Sequence, residues 1–355
     1  MYCWGANSHG QLGLGFRSES CENPQQLDVL PFDPQLIRTI AAGGGHTLVL
    51  VYPNAVYCCG WNSRGQLGLG HTEDVSQFQL IGGFDRFDAI ASGWDVSGGL
   101  TSDGQLYLWG SNVWHQVASE GVKYRDKPER IELPGAKKAT KICFGLRHTV
   151  ILTDEGTLLL LGKTKWMQNV KMKEMSHEGM QFYELQCSEK IKDVVSGENH
   201  LVVKLERGAI LCLGDNRFGQ SPVGTDLNVH SRHIVKLDSG WSHSGYLTGE
   251  GRLHLWGRNN YGQLGVTVDV FNNNQSSLLP LDFEPSKVVD FCLGSQHGMA
   301  LTENGLLHTW GWNEHGNCGT GGVDNVLTPT SVGGIKPIQK IAAGAGFCWA
   351  VPHNE

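Results

Sequence analysis

The stretch GLRHTVILTDEGTLLLLG, residues 145–162, decides the fold. One apolar run, HTVILT, leads into a turn of Asp154, Glu155 and Gly156, and a second run, TLLLLG, leads back out. Two short apolar runs around a glycine-containing turn spell a β-hairpin, because Gly156 supplies the positive φ the turn requires. The bracketing glycines, Gly145 and Gly162, stand 17 residues apart. The same interval separates residues 43 and 60, 93 and 110, 197 and 214, 240 and 257, and 294 and 311. The turn repeats as well, as TSDG at 101–104, TGEG at 248–251 and TENG at 302–305.

Each interval opens on Gly-x-x-His or a degraded form of it, starting at Gly43, Gly93, Gly145, Gly197, Gly240, Gly294 and Gly344. Each closes on an apolar-Gly-x-Asn turn, whose glycine falls at Gly5, Gly60, Gly110, Gly162, Gly214, Gly257 and Gly311. From a closing mark to the next opening mark the distance varies between 26 and 38 residues, so half of each unit is rigid and half is loop. Seven hairpins at intervals near 50 residues, each with room for two more short strands, predict an all-β, seven-bladed β-propeller of four-stranded blades. Residues 1–355 then form one domain. The seventh unit is split: GAGFCWAVPHNE, residues 344–355, stops where a hairpin turn is due, and MYCWG at 1–5 has the form of the missing strand. Pairing of the N- and C-terminal strands is expected to close the ring.

Composition narrows the function. With 48 glycines and 40 % hydrophobic residues the chain can bury a sizeable core. A net charge of -7 supplies no field for a polyanion, so no nucleic acid is expected as partner. Ten cysteines contain no C-x-x-C pair, which names neither a zinc site nor a redox dithiol. No basic-then-apolar leader is present, and apolar runs such as TLLLLG are too short to cross a bilayer. The expectation is a cytoplasmic monomer without an integral membrane segment, with nuclear entry left open. GQLGLG at 10–15 imitates a dinucleotide loop but sits among strands rather than in a βαβ unit, and GKT at 162–164 lacks the upstream glycine of a phosphate loop. No catalytic residue, metal site or cofactor is read from the chain, and no covalent catalysis is expected.

His46, His148, His200, His243 and His297 occupy one position in five units. A metal needs three or four ligands converging within about 2 Å of one ion, whereas these belong to five separate blades, so they read as structural, each pinned by local hydrogen bonds. The recurring Asn7, Asn62, Asn112, Asn216, Asn259 and Asn313 read as turn residues that bond their own loops.

Tandem apolar-Gly-x-Asn-x-x-Gly-Gln-Leu-Gly units, each with a Gly-x-x-His mark, resemble the regulator of chromosome condensation repeat family, and seven units cover the chain. The resemblance implies a propeller whose Gly-x-x-His end binds a partner. The variable residues at that end are Trp94, Asp95, Arg147, Glu198, Asn199, Trp241 and Gln296; their identities differ from unit to unit, which reads as a recognition surface, most of all at the aromatic Trp94 and Trp241, or as loop tips that little constrains. Within the family the chain is similar to a secretion-linked branch, which implies a small GTPase or an exocyst subunit as partner and a role in guanine nucleotide exchange. The alternative is an active exchange factor for a Ran-like GTPase. The family's founder acts through an extended hairpin after the Trp-Gly-Ser of one blade, and the matching WGSNVWHQVASEG, residues 109–121, has no insertion. Two basic stretches, 123–141 and 163–173, offer a second surface for an acidic partner or read as ordinary solvated loops.

Overall fold

A computed structural model describes residues 1–83, 86–118, 121–167, 170–222, 234–267, 279–281, 283 and 285–354. Strands β1 (Tyr2–Asn7) and β2 (Ser18–Gln26) are followed by a first blade of β3 (Ile37–Ala42), β4 (His46–Val51), β5 (Ala55–Gly60) and β6 (Val75–Leu80). The second blade holds β7 (Ala89–Ser92), β8 (Val96–Leu100), β9 (Leu106–Ser111) and β10 (Tyr124–Ile131). The third has β11 (Ala139–Phe144), β12 (His148–Thr153), β13 (Leu158–Gly162), β14 (Met172–His177) and β15 (Met180–Leu185). Of the fourth, β16 (Ile191–Ser196), β17 (His200–Leu205) and β18 (Ile210–Gly214) are described. The fifth comprises β19 (Ile234–Ser239), β20 (His243–Thr248), β21 (Leu253–Gly257) and β22 (Leu279–Leu281). The sixth comprises β23 (Val288–Leu293), β24 (His297–Thr302), β25 (Leu307–Gly311) and β26 (Val326–Ser331). Then β27 (Ile338–Ala343) and β28 (Phe347–Pro352) join the two opening strands in a seventh sheet of order β2-β1-β28-β27. Every strand pair is antiparallel, and the innermost strands β3, β7, β11, β16, β19, β23 and β27 touch one another in that order and back to β3.

The 17-residue interval is a register. The fourth residue of each opening mark pairs with the closing glycine: His46 with Gly60, Val96 with Gly110, His148 with Gly162, His200 with Gly214, His243 with Gly257 and His297 with Gly311. Across the chain ends Phe347 pairs with Gly5 in the same way, so the split unit closes as the sequence predicts. The third blade departs from four strands. There β15 takes the fourth place beside β13, and β14 is added outside it through a two-residue turn with positive φ at Glu178 (49°) and Gly179 (75°). Such a turn matches the right-handed twist of a hairpin, and Met180 and Phe182 of β15 bury themselves between blades.

The opening glycines answer to the ring that follows them. In all seven units the glycine amide donates to the carbonyl of the fourth residue, at 2.8–3.0 Å, folding that side chain back over the glycine. The three atoms nearest to a Cβ on Gly145 would all belong to the His148 imidazole, and all would be in collision with it. Gly145→Ala is therefore expected to cost about 1–3 kcal/mol by overpacking, and much less in a His148→Ala background. Urea titration of the double-mutant cycle measures this, and equal costs in both backgrounds would show that the ring is not what excludes a methyl group.

The histidines tie blade to blade. His46 Nε2 lies 2.9 Å from Ser97 Oγ, and Ser97 itself donates to Gln66 O, which makes the imidazole the donor. His148 reaches Ser196 at 2.9 Å, His200 reaches Ser244 at 2.8 Å, and His297 reaches Cys348 Sγ at 3.2 Å. His243 faces no such group, because Gly298 stands where its neighbours have a hydroxyl or thiol. The loops are stapled as firmly. Each of the six recurring asparagines accepts, through Oδ1, the amide of the residue five positions on, at 2.7–3.3 Å. The carbonyls of Gln66, Gln220 and Gln263 then receive the fully buried indoles of Trp109, Trp256 and Trp310 from the adjacent blade.

A further regularity lies four residues before the opening glycines, where Lys141, Asp193, Lys236, Asp290 and Lys340 alternate in sign over five consecutive blades. Lys141 pairs with Asp193 and Lys236 with Asp290, each at 2.6 Å, across adjacent inner strands.

Candidate functional site

Because β-strands in a blade alternate in direction, the Gly-x-x-His turns and the loops after each third strand emerge at one end of the ring. The backbone of those turns is the same in every unit. Residue three of each turn accepts, through its carbonyl, the amide that follows the closing glycine: Trp61 N to Gly45 O, Ser111 N to Asp95 O, Lys163 N to Arg147 O, Asp215 N to Asn199 O, Arg258 N to Ser242 O, Trp312 N to Gln296 O and Ala6 N to Gly346 O, at 2.7–2.9 Å. Residue two donates its amide to the next blade at six of the seven junctions, at 3.0–3.3 Å or slightly less, as in Glu198 N to Trp241 O (3.0 Å) and Trp241 N to Ser295 O (2.9 Å). Architecture thus consumes the main chain of these residues and leaves their side chains free to differ. They project from a rigid belt, which lowers the ordering cost of binding.

Above the belt lies a funnel of about 570 Å³. Trp94, Glu198, Trp241 and Gln296 line it, so four of the seven residues chosen from sequence share one cavity. Trp94 belongs to the second blade and Trp241 to the fifth, yet their ring centroids are 5.3 Å apart, which means the two indoles lean together over the axial channel. Gly44 permits this: a Cβ there would collide with the Trp94 carbonyl and press on its indole. Trp61 meets Trp94 edge-on at 6.3 Å and stacks with His9 at 5.4 Å. Gln296 is nearly buried and its Oε1 accepts from Gln263 Nε2 at 2.6 Å, so it braces the wall.

The other three residues are placed elsewhere. Arg147 lies 4.9 Å from the Trp114 ring centre, as does Lys163, and Trp114 is exposed. Asp95 and Asn199 are outside the funnel wall, their carbonyls holding the neighbouring loop. Burial raises the Asp95 carboxyl above its ordinary pKa, against the pull of Ser111 and Arg64. The basic stretch 123–141 is largely neutralised within the chain: Arg125 pairs with Glu129, Arg130 with Glu132, and Lys137 with Glu184 at 2.9 Å and Glu155 at 3.2 Å. In 163–173, of which residues 168 and 169 lie outside the described residues, the Trp166 indole donates to Lys163 O at 2.7 Å and packs against His148.

Trp61, Tyr261 and Trp312 also line the funnel and were missed by the sequence reading. The signal for two of them was present. The x of Gly-x-Asn is Ala6, Trp61, Ser111, Lys163, Asp215, Arg258 and Trp312, as variable as the interior of Gly-x-x-His and set beside it by the seven hydrogen bonds above.

The chain is 31% identical over 389 aligned residues to the secretion-regulating guanine nucleotide exchange factor of Bos taurus, covering 98% of this chain and 81% of that protein. It is 29% identical to the ultraviolet-B receptor UVR8 of Arabidopsis thaliana, covering 100% of this chain and 72% of that one. Among solved structures, Prp20p of Saccharomyces cerevisiae, described with its binding to Gsp1p and histones, superposes with a TM-score of 0.85 at 23% identity, over 100% of this chain and 92% of that one. Relatives named as an exchange factor and as a light receptor show that the propeller alone does not set the activity. A family model described as the RCC1-like domain matches residues 1–350, and with seven hairpin units in a single register the chain belongs to that family.

Proposed function

We propose that this chain is an interaction propeller that binds a small GTPase through the funnel face and thereby regulates its guanine nucleotide state, in a pathway of secretion. One observation carries the reading. A backbone belt repeated around the ring bears side chains that do not repeat, and two of them, Trp94 and Trp241, meet over the axis as a half-buried aromatic pair. Aromatic anchors of this kind are common hot spots. The name of the 31% identical bovine relative supplies the partner class and the link to secretion. Binding partners that follow from that link include an exocyst subunit.

The second reading, active exchange, needs tighter binding of the nucleotide-free GTPase than of the loaded one, since only differential affinity moves that equilibrium. It is favoured by the relative's name and opposed by the short β9–β10 connection, residues 112–123, of which 119 and 120 lie outside the described residues. The added hairpin β14–β15 stands on the outer edge of the next blade instead.

The test is affinity capture across a panel of small GTPases, each nucleotide-free and loaded, with stopped-flow release of labelled GDP in parallel. Wild type is expected to retain a GTPase, and Trp94→Ala/Trp241→Ala to weaken it by about 30-fold or more, the loss of two hot spots. Binding that survives the double substitution would remove the face from the proposal. Accelerated GDP release that vanishes in Glu198→Ala would establish active exchange in place of a platform.

A further inference from the structure

We propose that the funnel captures a cationic side chain, arginine or lysine, presented by a loop of the protein partner; this rests on the reading of the face as a GTPase-binding surface and names what that surface recognises. The indoles of Trp61, Trp94, Trp241 and Trp312 form the wall. Indole faces carry negative quadrupolar potential, and a guanidinium or ammonium within about 6 Å of a ring centre is drawn to it, most strongly where water is excluded. The wall is unfilled. Trp114, on the same end of the ring, already has two of the chain's own cations at 4.9 Å, whereas among the described residues none of the four funnel indoles has one.

Charge points the same way. Glu198 and Glu314 line the cavity, and among the described residues neither is in an ion pair. Among the described residues one arginine, Arg258, lines the wall; it lies 4.6 Å from the Phe218 ring centre and 5.2 Å from that of Tyr261 and keeps its charge. His9 is held by Asp74 at 2.9 Å. Two carboxylates, Glu198 and Glu314, against one guanidinium leave the described lining with a net negative formal charge, which disfavours a phosphate or carboxylate and suits a cation. About 570 Å³ is more than one side chain fills, so a loop tip carrying the cation fits better than a free ion. Guanidinium has the advantage over ammonium here, because its plane stacks on an indole while its edge donates to a carboxylate.

The probe is the peptide acetyl-Gly-Arg-Gly-amide beside its citrulline counterpart, which is alike in shape but uncharged, titrated into the full chain and followed by tryptophan fluorescence and saturation-transfer NMR. Saturable binding of the arginine peptide, at least about tenfold tighter than citrulline, is the expected result. The preference should disappear in Trp61→Ala/Trp312→Ala and fall about tenfold in Glu198→Gln/Glu314→Gln. Thermal melting of each variant confirms that its fold is kept, these side chains being partly or fully solvent-facing. Equal binding of both peptides, no binding of either, or a preference retained in both variants overturns the proposal. The assay contains no GTPase, so its failure and the failure of GTPase capture are separate outcomes.

Discussion

Removal of residues 2–7 is expected to abolish cooperative folding. Strand β1 is not an edge. It pairs with β28 on one side, Tyr2 to Ala350 through Gly5 to Phe347, and with β2 on the other, Tyr2 to Gln26 through Asn7 to Ser18. Its side chains also join the blades: Cys3 packs among Leu12, Val49 and Trp349, while Tyr2 and Trp4 pack with Met299 and Leu301 of the sixth blade. Trp4 is fully buried and its indole donates to Asn317 O at 3.0 Å. Truncating a buried tryptophan to alanine costs about 3–5 kcal/mol, against a total stability of about 5–15 kcal/mol. Losing Tyr2 and Cys3 as well, together with two ladders of hydrogen bonds, exceeds that total. It also detaches β2 from its blade and exposes β28 as an unpaired edge that invites association. Circular dichroism and size-exclusion chromatography check this: the deletion should melt without a sharp transition and associate, and Trp4→Ala should melt cooperatively but lower. A deletion variant melting within a few degrees of the full chain would mean that the ring does not depend on its clasp.

The legible part of the sequence was the part in which geometry repeats. A fixed 17-residue interval is a hairpin register, and it survives loss of the histidine at Val96 and Phe347 because the glycine and the strand pairing do not depend on the ring. The fifth strand of the third blade was hidden. That unit has lost its Gly-Gln-Leu-Gly block, and MKEMSHEGMQFYEL has the alternation of an ordinary outer strand until its turn is seen to reverse. In the site, Trp94 and Trp241 were found because they break a repeated position. Trp61 and Trp312 break one equally, but the Gly-x-Asn position reads as a turn, which masks its variable middle residue. Asp95 and Asn199 show the converse: non-repeating residues that stand off the funnel wall while their main chain holds the neighbouring loop. The Lys–Asp alternation around the inner strands needed the register to become visible, since its members are about 50 residues apart in the chain.

Acid is expected to unfold this protein near pH 5, well above the carboxylate range, and the histidines set that point. Burial lowers His46, His148 and His243 to about 3 and His200 and His297 to about 4. In the unfolded chain each returns to about 6.5, so below that pH the unfolded state binds more protons than the folded one and stability falls. The histidine contribution is whole above pH 6.5 and is lost progressively as pH drops toward the folded values. At pH 5 each histidine has forfeited about 2 kcal/mol, and five together about 10 kcal/mol, comparable to the whole stability of a domain. Asp95 and Asp238, raised by burial, shift the balance in the opposite direction, but their window begins from a lower unfolded value, and burial lowers His254 and His308 as well, which adds to the histidine side. His243 isolates the effect, because neither ring nitrogen has the hydroxyl or thiol partner that the other four have and the equivalent place in the seventh blade is filled by Phe347 over its own glycine. His243→Phe is therefore expected to leave neutral-pH stability equal or higher, to reduce the pH slope below 6 by about a fifth, and to lower the acid midpoint by about 0.3 unit. Urea titrations between pH 7.5 and 5.5 read the slope, and an acid titration followed by circular dichroism down to about pH 3 reads the midpoint. A midpoint below pH 4, or a slope untouched by the substitution, would assign acid sensitivity to the carboxylates and leave the buried imidazoles as passive filling.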